Sequence, residues 1–126
     1  MGFWTRRNWM TLAAIGGFVS VAAGAFAAHG VHDPKAQEWL RTGSTYGFLH
    51  TLATFACATF MTIGARRARL APAFFLSGTV LFSGSLYAMA LGAPRWFGAI
   101  TPIGGLLFLI GWGMLAWAAR GIDPPA

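Results

Sequence analysis

Acidic side chains are almost missing from this chain: 126 residues hold only three, Asp33, Glu38 and Asp123. That scarcity excludes a carboxylate pair for acid–base work and an aspartate to orient a catalytic histidine. It also excludes a carboxylate-rich cation site. Cysteine is scarcer still, with Cys57 alone, so no internal disulfide is possible. Cys57 falls inside an apolar run and reads as a small packing residue. No phosphate-binding loop or dinucleotide glycine fingerprint occurs. Enzymatic activity is therefore not expected.

What the chain has instead is apolar length. Four runs, Trp9–Ala28, Thr45–Gly64, Ala71–Leu91 and Pro102–Ala119, contain no Asp, Glu, Lys or Arg. A helix needs about 20 apolar residues to cross the ~30 Å hydrocarbon core. Backbone groups in lipid must be satisfied within the protein, which leaves helices or closed barrels. Unbroken runs of this length fit helices, not the short alternating strands of a barrel. The expectation is an all-α integral membrane protein, one membrane domain with a bundle of four transmembrane helices. Arg6-Arg7, an apolar stretch and Ala25-Phe26-Ala27 imitate a cleavable signal, but the run is span-length, so a retained helix is expected.

Positive charge is distributed unevenly. Arg6, Arg7, Arg66, Arg67, Arg69 and Arg120 fall at one end of the expected helices, against Lys35, Arg41 and Arg95 at the other. Such a bias in short loops places both termini in the cytoplasm of an inner membrane. The net charge of +6 then reflects topology and attraction to anionic lipid, and no nucleic-acid partner is expected.

Between the first two runs, Asp33 suits an N-cap and Pro34 the first helical position. Ala36, Trp39, Leu40 and Gly43 follow at helical spacing. A short interfacial helix over about 34–42, ended by Gly43, is expected. Thr101 and Pro102 are expected to cap and begin the fourth helix, closed by Arg120 and Gly121. Trp4, Trp9, Trp39, Tyr46, Trp96 and Trp117 fit interfacial belts. Small residues let helices approach closely in lipid. The first helix offers Gly16, Ser20, Gly24 and Ala28, the third Ser77 and Gly84, and the fourth Gly104, Gly105 and Gly111.

The unusual polar residues gather at the less basic end: His29, Tyr46, His50, Ser83, Ser85, Tyr87 and Thr101. They are candidates for a ligand site. His29 and His50 at similar depth would supply a weak haem or metal pair. The bland alternative is that His50 and Ser83 bond between helices and His29 caps the first helix.

At these same residues the chain resembles a known family. Residues 24–30, GAFAAHG, are similar to the GAFGAHG signature of the domain of unknown function number 423 family, small bacterial membrane proteins with mitochondrial relatives in animals. TGSTYGFLHTLA at 42–53, LFSGSLY at 81–87, GAITPIGG at 98–105 and Gly111-Trp112 extend the resemblance along the chain. Two departures stand out: Ala27 where the signature has Gly, and Thr51 where Ala is usual after the histidine. The resemblance implies a four-span inner-membrane protein and supplies no activity, ligand or partner. Three functions stay open. The first is a non-enzymatic accessory or assembly subunit, partnered by other membrane subunits or by itself. The second is an outer-face haem, metal or quinone binder. The third is a small oligomeric transporter, for which His50 is the sole substitute for an in-span coupling carboxylate.

Overall fold

The computed structural model describes residues 2–122 and contains four α-helices: α1 Arg6–His29, α2 Pro34–Thr62, α3 Ala71–Ala90 and α4 Thr101–Ala119. Short 3-10 turns, Arg66–Leu70 and Arg95–Ala99, lead into α3 and α4. Local chemistry sets the helix starts. Thr5 Oγ1 accepts the Asn8 amide at 3.1 Å, so α1 begins one turn before the apolar run. Asp33 accepts the Ala36 amide at 2.9 Å, with Pro34 at the first position, the pair of signals that nucleates a helix most directly.

Two sequence expectations about helix ends are corrected. Gly43 ends nothing: residues 34–42 are the first turns of a single 29-residue α2. Its missing side chain serves packing, because a Cβ there would lie 2.6 Å from the Tyr87 ring. Thr101 does not cap α4 either. The preceding turn runs straight into the helix, so Thr101 is already helical and Ile100 stands at the cap without a side-chain bond.

The helices are not arranged as a closed square. α2 and α3 form a central pair. α1 lies along α2 and edges onto α3, α4 lies along α3 and edges onto α2, and among the described residues no Cα of α1 comes within 8 Å of one in α4. Each outer helix therefore leaves an open furrow beside the central pair. The small-residue ridge of α1 is the contact with α2: a Cβ at Gly16 would lie 2.9 Å from Thr51 Oγ1, and one at Gly24 2.9 Å from Ser44 Oγ. Ala28 is exposed and its neighbour Ala27 is fully buried in its place.

On α4, Gly104 lies directly against the α3 backbone at Phe82 and Gly78, and Gly111 accommodates the Phe75 ring. Gly105 stands at the edge, 4.0 Å from Phe82 by the same measure. Gly84 is a correction, since nothing lies within 4 Å of a Cβ there. It and Ser77 share one face of α3, and at 100° per residue that face points away from α4, which meets Gly78 instead.

The apolar core occupies the arginine-rich half, where Trp9, Cys57, Ala68, Phe75, Leu115 and Ala118 interlock. Trp9, expected in an interfacial belt, is only 2% exposed there and stacks on Trp4. Outside, large apolar side chains face outward, among them Phe18, Val80 and Leu109. Three helical stretches are long and apolar enough to cross a membrane: Arg6–His29, Arg66–Ala90 and Arg95–Ala119. α2 falls short of that composition because Tyr46, His50 and its threonines dilute it.

Candidate functional site

The polar candidates do not form one cluster. The fold sorts them into ties between particular helix pairs. Ser44 Oγ donates to the Ser20 carbonyl at 2.6 Å, joining α2 to α1. Ser83 Oγ donates to the Gly43 carbonyl at 2.7 Å, joining α3 to α2. Ser85 and Thr101 share a 2.5 Å hydroxyl–hydroxyl bond between α3 and α4. Ser83 and Ser85 lie two residues apart, hence about 200° apart on the helix, and face different neighbours.

His50 is the fourth tie. The Trp112 indole N–H donates to His50 Nε2 at 3.0 Å, and His50 Nδ1 lies 2.7 Å from the Tyr46 carbonyl. An indole can only donate and a carbonyl can only accept. The pattern therefore assigns the neutral tautomer with its proton on Nδ1, and both ring nitrogens are engaged. Phe108 stacks on the imidazole at 3.5 Å between centroids, while Phe75 and Tyr46 close the sides.

The histidine pair does not fit a metal or haem. His50 is level with Gly16 of α1, because Thr51 packs there. His29 is thirteen residues further along α1, about 20 Å at helical rise, and it is exposed. With both His50 nitrogens bonded, neither is available for ligation without breaking a tie. No group of three or more His, Cys, Asp or Glu converges among the described residues.

One candidate keeps an unused polar atom. The Tyr87 hydroxyl is buried and makes no hydrogen bond among the described residues. It sits with Ser20 and Ser83 around Gly47, whose Cβ would lie 2.6 Å from Ser20 Oγ, 3.2 Å from Ser83 Oγ and 3.6 Å from the phenol oxygen. The Ser20 and Ser83 hydroxyls, which donate to the Gly16 and Gly43 carbonyls, lie close enough to the phenol to act on it, but their contacts with it fall short of hydrogen-bond geometry. An unmet buried hydroxyl costs about 1–3 kcal/mol, so it requires a reason.

Tyr87 is also one of the residues lining the furrow between α1 and α3, a cavity of about 450 Å³. Leu12, Ile15, Val19, Leu76 and Val80 form its walls, with Ser20, Thr51, Ser83 and Tyr87 the polar residues among its lining. Gly84 and Ser77 keep its rim low. The furrow on the opposite side, between α2 and α4, measures about 440 Å³ and is bounded by Tyr46, His50, Phe82 and Trp112. The His50 and Trp112 ring nitrogens in its lining are already tied to each other.

Sequence reasoning missed Trp112 as the partner of His50 and Phe108 as its stacking face. A tryptophan in mid-helix, away from the interfacial belts, was the available signal. Thr51 was expected beside the histidine, whereas its hydroxyl meets Gly16 of α1, in the other furrow.

The chain is similar to known proteins along most of its length. Residues 23–105 match the family described as Protein of unknown function (DUF423). A UPF0382 membrane protein of Haemophilus influenzae is 46% identical over 117 residues, covering 90% of this chain and 94% of the relative. The UPF0382 inner membrane protein YgdD of Escherichia coli K12 is 41% identical over 118 residues, covering 88% of each. A UPF0382 membrane protein of Staphylococcus epidermidis is 37% identical over 110 residues, covering 85% of this chain and 90% of the relative. No solved structure matches. Identity of this degree over nearly the full length, together with the family match over residues 23–105, makes this chain a member of the DUF423 family.

Proposed function

We propose that the chain is a non-enzymatic four-span inner-membrane protein that holds a lipid-soluble, carbonyl-bearing molecule, of the quinone class, in the furrow between α1 and α3. The observation that carries this reading is the Tyr87 phenol, a buried donor without a partner beside an apolar cavity. About 450 Å³ lies within the roughly 300–1,000 Å³ of small-molecule sites, which pair apolar walls with a few polar groups. A carbonyl oxygen satisfies a phenol, and an apolar ring and tail suit the walls. The furrow opens sideways, toward the surface that carries Phe18 and Val80, so such a molecule enters from lipid. It offers hydroxyls but no acid, base or nucleophile activated by one, which supports binding without chemistry.

Four spans follow if α2 crosses as well. Of its diluting residues, His50, Thr51 and Thr54 are buried and Tyr46 is exposed, while Phe48, Leu49 and Leu52 face outward. At about 43 Å it exceeds the ~30 Å core, which leaves its first turns, with Lys35, Glu38 and Arg41, at the interface. The arginine-rich end then faces the cytoplasm.

The test is extraction. Protein purified in a mild detergent, then treated with organic solvent, should release a quinone-type absorber near stoichiometry. Tyr87→Phe should release far less. Clean protein of both kinds would remove this reading.

A second reading is an accessory subunit of a larger membrane complex, favoured by outward glycines. Gly84 and Gly113 have open space where a side chain would be, and exposed small residues permit close helix contact in lipid. Pull-down at native expression followed by mass spectrometry separates the two, since reproducible partner subunits support this role and self-association alone opposes it.

A further inference from the structure

At the arginine-rich end the cationic side chains divide into two kinds. Arg67 is employed: its Nη1 donates to the Trp117 carbonyl at 3.2 Å and its guanidinium lies over the Trp117 ring at 4.8 Å. It satisfies the carboxyl end of α4, where a cation suits the helix dipole. Arg6, Arg66 and Arg69 are not employed in this way. They come from two segments about sixty residues apart in the chain, yet line one cavity of about 410 Å³ together with Met61. Their guanidinium groups make no ion pair or hydrogen bond among the described residues, where the one salt bridge is Lys35–Glu38 at the other end.

Three like charges around one pocket repel each other unless an anion lies between them. Guanidinium groups bind phosphate oxygens in a planar, two-point manner that an ammonium cannot match. The convergence is held in place, because the Trp4 indole reaches the Arg69 carbonyl at 3.5 Å and ties the α1 start to the 3-10 turn. Near these arginines in the chain, Phe3, Ile63 and Leu70 are exposed at 65%, 54% and 45%. A charged pocket at the end of membrane-length helices, with exposed apolar side chains nearby in the chain, fits a phosphate that carries acyl chains.

We propose that Arg6, Arg66 and Arg69 form a phosphate site occupied by the headgroup of an anionic phospholipid. The site is distinct from the furrow at Tyr87 and shares with it only the membrane placement of the chain. Full-length protein in a mild detergent, titrated with phosphatidylglycerol or with phosphatidylcholine and followed by native mass spectrometry, tests it. Phosphatidylglycerol should bind selectively with one tight site. Arg6→Gln, Arg66→Gln and Arg69→Gln should each weaken it by roughly tenfold, as loss of a charge-assisted bond implies. Arg→Lys at the same positions should weaken it less. Arg7→Gln and Arg120→Gln, outside the pocket, should leave it unchanged.

These side chains are exposed, and unchanged helical circular dichroism certifies that each variant is folded. Equal losses in the pocket and control variants would reduce the effect to diffuse charge and overturn the proposal. So would binding that does not distinguish the two lipids. Displacement by millimolar inorganic phosphate would overturn the lipid assignment, whereas resistance to it supports a lipid occupant.

Discussion

At the scale of single residues, the side chains that looked most functional are mostly structural. His50 illustrates why. Its two nitrogens and one face are taken by Trp112, the Tyr46 carbonyl and Phe108, so its chemistry is spent inside the protein. A hydrogen bond between membrane helices contributes about 0.6 kcal/mol on average and up to ~1.7. A double-mutant cycle of His50→Phe with Trp112→Phe, read by unfolding in mild detergent, should give a coupling in that range. No coupling would mean that the tie does not stabilise α2 against α4.

The glycines make a sharper contrast. Gly104→Ala places a methyl against the backbone of Phe82 and Gly78, which cannot move aside as a side chain would. The expected cost is about 1–3 kcal/mol. Gly84→Ala meets open space and should change stability by no more than about 0.5 kcal/mol. Residue types were legible at this scale, and partners were not. Which carbonyl receives Ser83 depends on how α2 and α3 are rotated and shifted, and that is decided by contacts forty residues apart.

At the scale of elements, α2 is the informative one. Its start was legible because Asp33 and Pro34 act within one turn. Its continuity was not, since Gly43 reads locally as a stop signal and is present for the Tyr87 ring of another helix. Its composition dilutes a hydropathy signal in part for the same reason that it packs well: His50, Thr51 and Thr54 point inward. Cysteine labelling tests its crossing. Cys57 is fully buried and gives little background, so single cysteines at Val31 and Gly64 can be probed with a membrane-impermeant maleimide. They should react from opposite sides of sealed vesicles. Reaction from the same side would contradict α2 as a span.

For the whole molecule, the separation of the α1 and α4 backbones sets the functional layout. A closed square would fill its centre and leave no furrow. The offset arrangement leaves two, one lined by the His50–Trp112 pair and one lined by Tyr87. Apolar run length made the helix count readable, and alternating short connections made neighbouring helices antiparallel. The offset itself was not readable, because it follows from which small residues face which ring: Gly43 with Tyr87, Gly78 with Phe108 and Gly111 with Phe75.

The furrow at Tyr87 is the central claim, and a direct binding titration tests it most closely. Purified protein titrated with a short-chain ubiquinone, with tryptophan fluorescence as readout, should show saturable binding at one site. Tyr87→Phe should bind roughly tenfold more weakly, as expected for one lost buried hydrogen bond. Gly84→Leu, which fills the furrow from an open position, should abolish binding while leaving thermal stability intact. Non-saturable quenching, or equal affinity in wild type, Tyr87→Phe and Gly84→Leu, would contradict the account.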